Sequence, residues 1–243
     1  MTMTLVSVNV ALPVAVRHGR DSVTTGIFKQ PVTGPVAVHR HHLAGDGQAD
    51  LVRHGGEHKA VYAYSLDHYA YWREVLDRDE LPYGQFGENL TVAGLDEAAL
   101  CVGDQLRVGD ALFSISQPRT PCFKLGIRLA DGRMPRLFAE SLRTGVYLRV
   151  LQQGTVEAGN TVDVVARDPH RLSIRALFDA YLKPDDPVAL ETLTRALEIP
   201  ALSPQWREHI GQRLARSASL NATPELVDLP SSLPPPLTPK ETK

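Results

Sequence analysis

Cysteine is nearly absent from this chain: there are two in 243 residues, Cys101 and Cys122. Two thiols in a chain this long are no disulfide framework, and their scarcity fits a reducing compartment. An excess of charge is also lacking. The formal net charge is −2, which gives no global attraction to nucleic acid or to an anionic membrane surface. No apolar run approaches the ~20 residues needed to cross a bilayer. Met1 to Val14 carry neither a positive n-region nor a cleavage pattern, so no secretion signal is expected and the chain is read as soluble and cytoplasmic. Fe–S cysteine spacing, a Walker motif and a flavin or nicotinamide fingerprint are missing. Gly45-Asp46-Gly47 comes nearest to one, but Asp50 stands where a dinucleotide loop needs Gly or Ala.

What is present divides into two parts. Hydrophobic residues make up 43% of the chain, enough for one large domain with a small appendage. Residues 1–168 read as mainly β. Val6, Val8 and Val10 alternate with polar or small residues, as do Val36 and Val38. Leu112 to Ile115, Tyr147 to Val150 and Thr161 to Ala166 are further β-favouring runs. Gly103-Asp104, Gly109-Asp110 and Gly159-Asn160 punctuate them. Short strands separated by turn signals predict a barrel or sandwich. Two helices interrupt it, one after Ser65 carrying Tyr69, Trp72 and Leu76, the other from about Met134 to Leu142.

Beyond Asp168-Pro169 the pattern turns helical, over residues 169–220. Ser173 to Leu182 predicts a helix that stops before Pro184. Asp186-Pro187 is an N-cap followed by proline at the first helical position, and Leu190, Leu193 and Leu197 then line one face. Ser203-Pro204 repeats the start signal ahead of Trp206, Ile210 and Leu214. Helices this short are marginal alone, so the three are expected to pack together or on the barrel. An exposed face on them would allow a homodimer. Residues 221–243 are rich in Pro and Ser without periodicity and are expected to form a disordered tail.

The densest chemical signal is Pro118-Arg119-Thr120-Pro121-Cys122-Phe123-Lys124. Two prolines fix φ and push the residues before them towards extended conformations, which predicts a stiff loop leaving the Leu112 to Ser116 strand. Arg119 and Lys124 flank the thiol. Cations favour the thiolate, the form that binds soft metals or attacks electrophiles. The alternative is a buried structural cysteine, and Cys101, with no such flanks, is assigned that role. A second signal runs from Gly45 to Asp50 and on through Arg53-His54-Gly55-Gly56-Glu57-His58-Lys59. Its glycines would let backbone N–H groups converge on an anion such as phosphate, with Lys59 and Arg53 adding charge; an ordinary surface loop is the competing reading. The third is Gly84-Gln85-Phe86-Gly87-Glu88-Asn89-Leu90, whose amide, carboxylate and glycines suit either a heterocycle or a tight turn. Zinc is not favoured at His54 and His58, because Gly55-Gly56 lies between them where a chelating pair needs a helix.

Taken in order, these blocks resemble a known family. They are Gly26 to Val32, Gly45 to Asp50, His54-Gly55-Gly56 with Lys59 to Tyr62, Phe86 to Leu90, Ser116 to Arg119 with Pro121-Cys122, and Gly145 to Val150. Together they resemble the bacterial YiiM-like MOSC proteins over residues 5 to about 217, and the mitochondrial amidoxime-reducing component is the eukaryotic relative of that group. The resemblance implies a MOSC-type β-barrel with peripheral helices, a C-terminal three-helix appendage, and a molybdenum–pterin cofactor bound through a cysteine thiolate. That role falls on Cys122. Reduction of N-hydroxylated compounds, such as hydroxylaminopurines and amidoximes, is the implied activity. On this reading Lys29, Lys59 and Arg119 neutralise the cofactor phosphate, Asn89 and the backbone at Gly87 hold the pterin edge, and His54 donates a proton. With no electron-carrying motif of its own, the chain would depend on a separate flavin or Fe–S reductase. The chain departs from the family pattern at His42-Leu43-Ala44, where Gly-Leu is expected before Gly45-Asp46, and at Glu57-His58, where Pro-Asp is expected. A different class remains open on the residues alone: Cys122 as the persulfide-bearing sulfur of a carrier module, or as a hydrolytic nucleophile.

Overall fold

A computed structural model describes residues 2–50, 55–183 and 185–221, with side chains as far as Ser217. Seven strands close into a barrel in the order β12 (Thr161–Ala166), β8 (Gln105–Val108), β9 (Ala111–Pro118), β10 (Val146–Gln152), β6 (Val61–Ser65), β7 (Leu90–Ala93) and β1 (Met3–Val10). Met3 pairs with Val162 to shut the ring. Neighbours run antiparallel except β6 and β7, which are parallel. The far end of β1 pairs with β4 (Gln30–Val32), and β5 (Val36–Val38) pairs with β11 (Gly154–Val156) beside the barrel.

Side-chain alternation explains why β6 is buried throughout. Val61 and Ala63 point into the barrel core, while Tyr62 and Tyr64 point outwards into a second, aromatic core. α1 (His68–Leu76), α2 (Phe123–Leu129) and α3 (Met134–Glu140) cover that outer layer. Trp72 is fully buried there; its ring stacks on Phe138 at 5.6 Å and 11°, and its Nε1 donates to the Tyr64 hydroxyl at 2.6 Å. A strand buried on both faces reads as a continuous run rather than an alternating one.

The C-terminal helices start where the caps predict. The Ser173 hydroxyl accepts from Ala176 N at 3.2 Å to open α4 (Ile174–Leu182). The Asp186 carboxylate accepts from Val188 N at 2.9 Å to open α5 (Pro187–Ala196), and the Ser203 hydroxyl accepts from Trp206 N at 3.2 Å at the head of α6 (Pro204–Asn221). The buried stripe of α5 is centred on Ala189, Leu193 and Ala196, with Leu190 and Leu197 at its margins. The two alanines let α5 approach its neighbours closely. Ile174, Leu177, Phe178, Leu193, Ile199, Leu202, Trp206 and Ile210 join the same core as the barrel interior. α6 continues through Asn221, where the tail was expected to begin; residues 222–243 lie outside the described residues. Among the described residues no helix is long and apolar enough to cross a membrane.

One element is not foreshadowed by alternation. β2 (Val14–His18) and β3 (Asp21–Thr25) form a hairpin, closed by the His18 and Asp21 pair over Gly19-Arg20. It reaches α2 through the His18 ring, 5.4 Å from the ring of Phe123. A lone hairpin is marginal in water, so this ring contact and its attachment at Thr25 are what locate it.

Candidate functional site

The stiff segment after β9 behaves as its prolines dictate. The strand extends to Pro118, two residues beyond the expected end, and Cys122 then stands extended (φ −132°, ψ 172°) as the residue that opens α2. Its carbonyl accepts from Leu125 N at 3.0 Å, while its side chain makes no capping bond to the helix. The thiol is therefore not consumed in starting α2. It lines a cleft of about 690 Å³, mouth included, between the Thr25 to Lys29 segment, the Asp46 to Ala49 loop, Lys59 and the Arg119 to Lys124 segment. Cys101 differs in each respect. It is 4% exposed, bridges Ser173 across the foot of α4, and burial together with Asp104 pushes its thiol pKa up.

All six residues expected at a cofactor, namely Lys29, Lys59, Gly87, Asn89, Arg119 and Cys122, line this one cleft. They play unequal parts. Lys29 is buried and its ammonium is hydrogen-bonded to Asp46. Burial lowers the Lys29 pKa, and the Asp46 carboxylate opposes that shift. Asp46 also accepts from Ala11 N at 2.9 Å and from Asn89 Nδ2 at 2.9 Å. Asn89 sends its other amide hydrogen to Asn9 O at 3.2 Å and accepts from Tyr62 N at 3.0 Å. Both donors of Asn89 thus bond the protein, and one carbonyl lone pair is left for a ligand. Arg119 donates to the Phe86 carbonyl and lies over the rings of Tyr62 (4.7 Å) and Phe138 (5.4 Å). It ties the barrel to the aromatic core and forms the back of the cleft.

Two lysines complete the cation set. Lys59 ends the short 3-10 turn Glu57–Lys59, and its ammonium lies 5.9 Å from the Tyr147 ring centroid. Burial lowers its pKa, and Asp50 and Cys122 pull it back up. Lys124, in the first turn of α2, is 9% exposed and lines the same cleft. Tyr62 and Tyr147 give the cleft an aromatic wall; burial raises both hydroxyl pKa values, so both stay protonated at neutral pH.

Glu88 shapes the turn beneath. Its fully buried carboxylate accepts from the Tyr69 hydroxyl, from Gly84 N and Phe86 N at 3.0 Å each, and from the Thr91 hydroxyl at 3.0 Å. Burial raises its pKa against the pull of those donors. Gly87 sits at φ +79°, and a Cβ there would meet Ile27 Cγ1 at 2.7 Å, so only glycine fits. Its N–H closes the turn onto Gly84 O at 2.9 Å. The backbones of Gly26 and Gly47 meet at the cleft wall, where a Cβ on Gly26 would lie 2.7 Å from Gly47 O.

Sequence reasoning missed Asp46 as the partner of Lys29, although its place between two glycines was a signal. It read Lys124 as a cation beside the thiol but not as a cofactor contact, and gave no hint of Gln205, whose side chain reaches Lys59 from α6. Arg53 and His54 lie outside the described residues, so the expected proton donor is not placed.

Chemically, the cleft offers a partly exposed sulfur, ammonium groups at its walls and an aromatic side. That set suits an anionic ligand carrying a soft metal. The comparisons agree with the fold. The model for the MOSC domain matches residues 50–163, and that for the YiiM-like 3-alpha helix domain matches residues 172–216. The chain is 38% identical over 203 residues to the uncharacterized protein YflK of Bacillus subtilis, covering 84% of this chain and 90% of that one. It is 35% identical over 158 residues to a protein named reductase from Gibberella moniliformis, covering 63% of this chain and 28% of that one. The crystal structure of YiiM from Geobacillus stearothermophilus superposes with a TM-score of 0.73 at 36% identity, covering 87% of this chain and 99% of that one. With its closed barrel, its cysteine-lined cleft and its three C-terminal helices, the chain belongs to the YiiM-like MOSC family.

Proposed function

We propose that this chain is an oxidoreductase that binds a molybdenum–pterin cofactor and reduces N-hydroxylated compounds to amines or amidines. The observation that carries the reading is Cys122: a thiol spared from helix capping, facing a cleft that Lys59 and Lys124 also line. The donor set fits such a group. Thiolate sulfur is a soft ligand suited to a metal of this kind, ammonium groups suit a phosphate, and the half-buried ring of Tyr147 offers an aromatic surface to a flat heterocycle. When bound, the cofactor supplies two-electron redox chemistry at its metal.

The rest falls to the protein. Cys122 would hold the metal, and Lys59 and Lys124 the anionic end of the cofactor. The Lys29, Asp46 and Asn89 network keeps one wall rigid, so the cleft keeps its shape between turnovers. Arg119 fixes the back wall through Phe86 and the aromatic rings. His54 is proposed as the proton donor, an imidazole being able to titrate near working pH. Conversion of an N–OH group to N–H releases water and consumes two electrons and two protons. The electrons would arrive from a separate flavin or Fe–S reductase in the cytoplasm.

The test supplies electrons chemically. Protein made in a cofactor-producing host should oxidise reduced benzyl viologen only when a hydroxylaminopurine or an amidoxime is added. Cys122→Ala should abolish this. Molybdenum-loaded protein that turns over neither substrate class would overturn the proposed activity.

A further inference from the structure

The C-terminal helices reach the cleft itself. Gln205, in the first turn of α6, accepts a hydrogen bond from the Lys59 ammonium with its side-chain oxygen, across 146 residues of sequence. The link is registered from both sides through Ser116 of β9. The Ser116 carbonyl accepts from Ser203 N at 3.3 Å, just ahead of α6, and the Ser116 hydroxyl donates to the His58 carbonyl at 2.5 Å, just ahead of Lys59.

Each end is further pinned. Trp206 is 1% exposed in the shared core and Ser203 caps its N–H. Arg207 donates to the carbonyls of Leu197, Leu202 and Ile199, which locks the connection from α5 into α6. On the other side, Lys59 N bonds Gly56 O at 3.1 Å and Lys59 O accepts from Gln48 Nε2 at 3.2 Å. The Gln205 oxygen and the Lys59 backbone are thus held at a set separation.

The choice of acceptor is informative. A lysine stem is flexible and loses much freedom when its head is fixed. Lys29 is fixed by a carboxylate, which compensates its charge. Gln205 is neutral. An amide oxygen orients an ammonium without itself cancelling the charge. Asp50 and Cys122 also act on the Lys59 charge, both favouring the ammonium.

We propose that the three-helix unit is a working part of the cleft, with Gln205 as the positioning residue that aims the Lys59 ammonium at the anionic group of the bound cofactor. This rests on the reading that the cleft holds such a cofactor. It gives the appendage a task beyond closing the barrel core, and it makes Gln205 act only through Lys59.

A double-mutant cycle on the full chain tests it, using Gln205→Leu, Lys59→Met and the pair, with Gln205→Glu as a charge-compensating comparison. The first readout is the molybdenum and pterin retained after prolonged dialysis. Partners that orient a ligating group typically contribute 10- to 100-fold in affinity, so Gln205→Leu should lower retention about tenfold with an unchanged circular dichroism spectrum. Gln205→Glu still holds the ammonium but compensates its charge, so it should also lower retention of an anionic cofactor. Gln205→Leu should add nothing to Lys59→Met, because two residues acting as one unit are not additive. Wild-type retention in Gln205→Leu, or full additivity of the two changes, would overturn the proposal. The second readout needs no metal: binding of inorganic phosphate followed by ³¹P line broadening. If the wild type holds no molybdenum, the cofactor reading fails, and the phosphate cycle still decides the role of Gln205. Phosphate bound equally by wild type and Gln205→Leu would refute that role.

Discussion

Asp46→Ala should cost this protein far more than its position in a loop suggests. The carboxylate is buried, holds the Lys29 ammonium, and accepts from Ala11 N and Asn89 Nδ2 at 2.9 Å each. Removing it strands a buried cation and two donors. Breaking a buried pair in this way costs about 3–5 kcal/mol, and in a protein of this size each kcal/mol moves the melting temperature by about 2–4 °C, so a fall of roughly 6–20 °C is expected. Lys29→Met added to Asp46→Ala should recover much of it, since no charge is then left unpaired. The pH dependence gives a second handle. Burial holds the Lys29 pKa below its ordinary 10.5, with Asp46 the main opposing influence and Glu88 adding to it, while Arg119 acts in the direction of burial. Between the depressed folded value and 10.5 the unfolded chain binds more protons than the folded one, so stability rises with pH through that window. Without Asp46 the folded value drops further and the window widens downwards. Asp46→Ala should therefore regain more stability between pH 7 and about pH 9.5 than wild type does. Urea unfolding at both pH values measures this. A penalty below about 1 kcal/mol, or one identical at both pH values, would refute the buried-pair argument.

Trp72→Ala should remove the stack on Phe138 and strip the Tyr64 hydroxyl of its donor, at a cost of about 3–5 kcal/mol read from the unfolding midpoint. A cost under 1 kcal/mol would mean that the aromatic layer relaxes around the loss. Truncation after Asp168 should yield aggregated or molten protein, because Phe178, Leu193, Trp206 and Ile210 share the barrel core. A truncated chain with a sharp, cooperative melt would show instead that the barrel stands alone.

Much of this architecture could be read from residue pattern because local chemistry dictated it. Ser173, Asp186 and Ser203 open their helices as cap residues do, and the alternating valines of β1 form a strand. What escaped has physical reasons. β6 alternates between two cores, so its Val-Tyr-Ala-Tyr run carries no polar face and gives no alternation to mark it as a strand. The β2–β3 hairpin is largely exposed on both faces, which erases the alternation that marks a half-buried strand. α2 has seven residues and begins directly after a Pro-rich segment, too short for a periodic signal. At the site, Cys122 stood out because prolines and cations flank it. The Lys29 to Asp46 and Lys59 to Gln205 bonds did not, because each joins residues that only the closed barrel brings together. Asn89 and Arg119 were expected to face a ligand, and both line the cleft, yet both amide donors of Asn89 and the Arg119 bond to Phe86 serve the protein's own frame.

The central claim is that Cys122 is the ligand through which the chain holds molybdenum. It is tested most directly by metal analysis of the full chain, wild type beside Cys122→Ser, both expressed in a host that makes the cofactor. The account predicts close to one molybdenum per wild-type chain and a loss of most of it in Cys122→Ser, with both proteins equally folded. Equal molybdenum in the two, or none in the wild type, would contradict it.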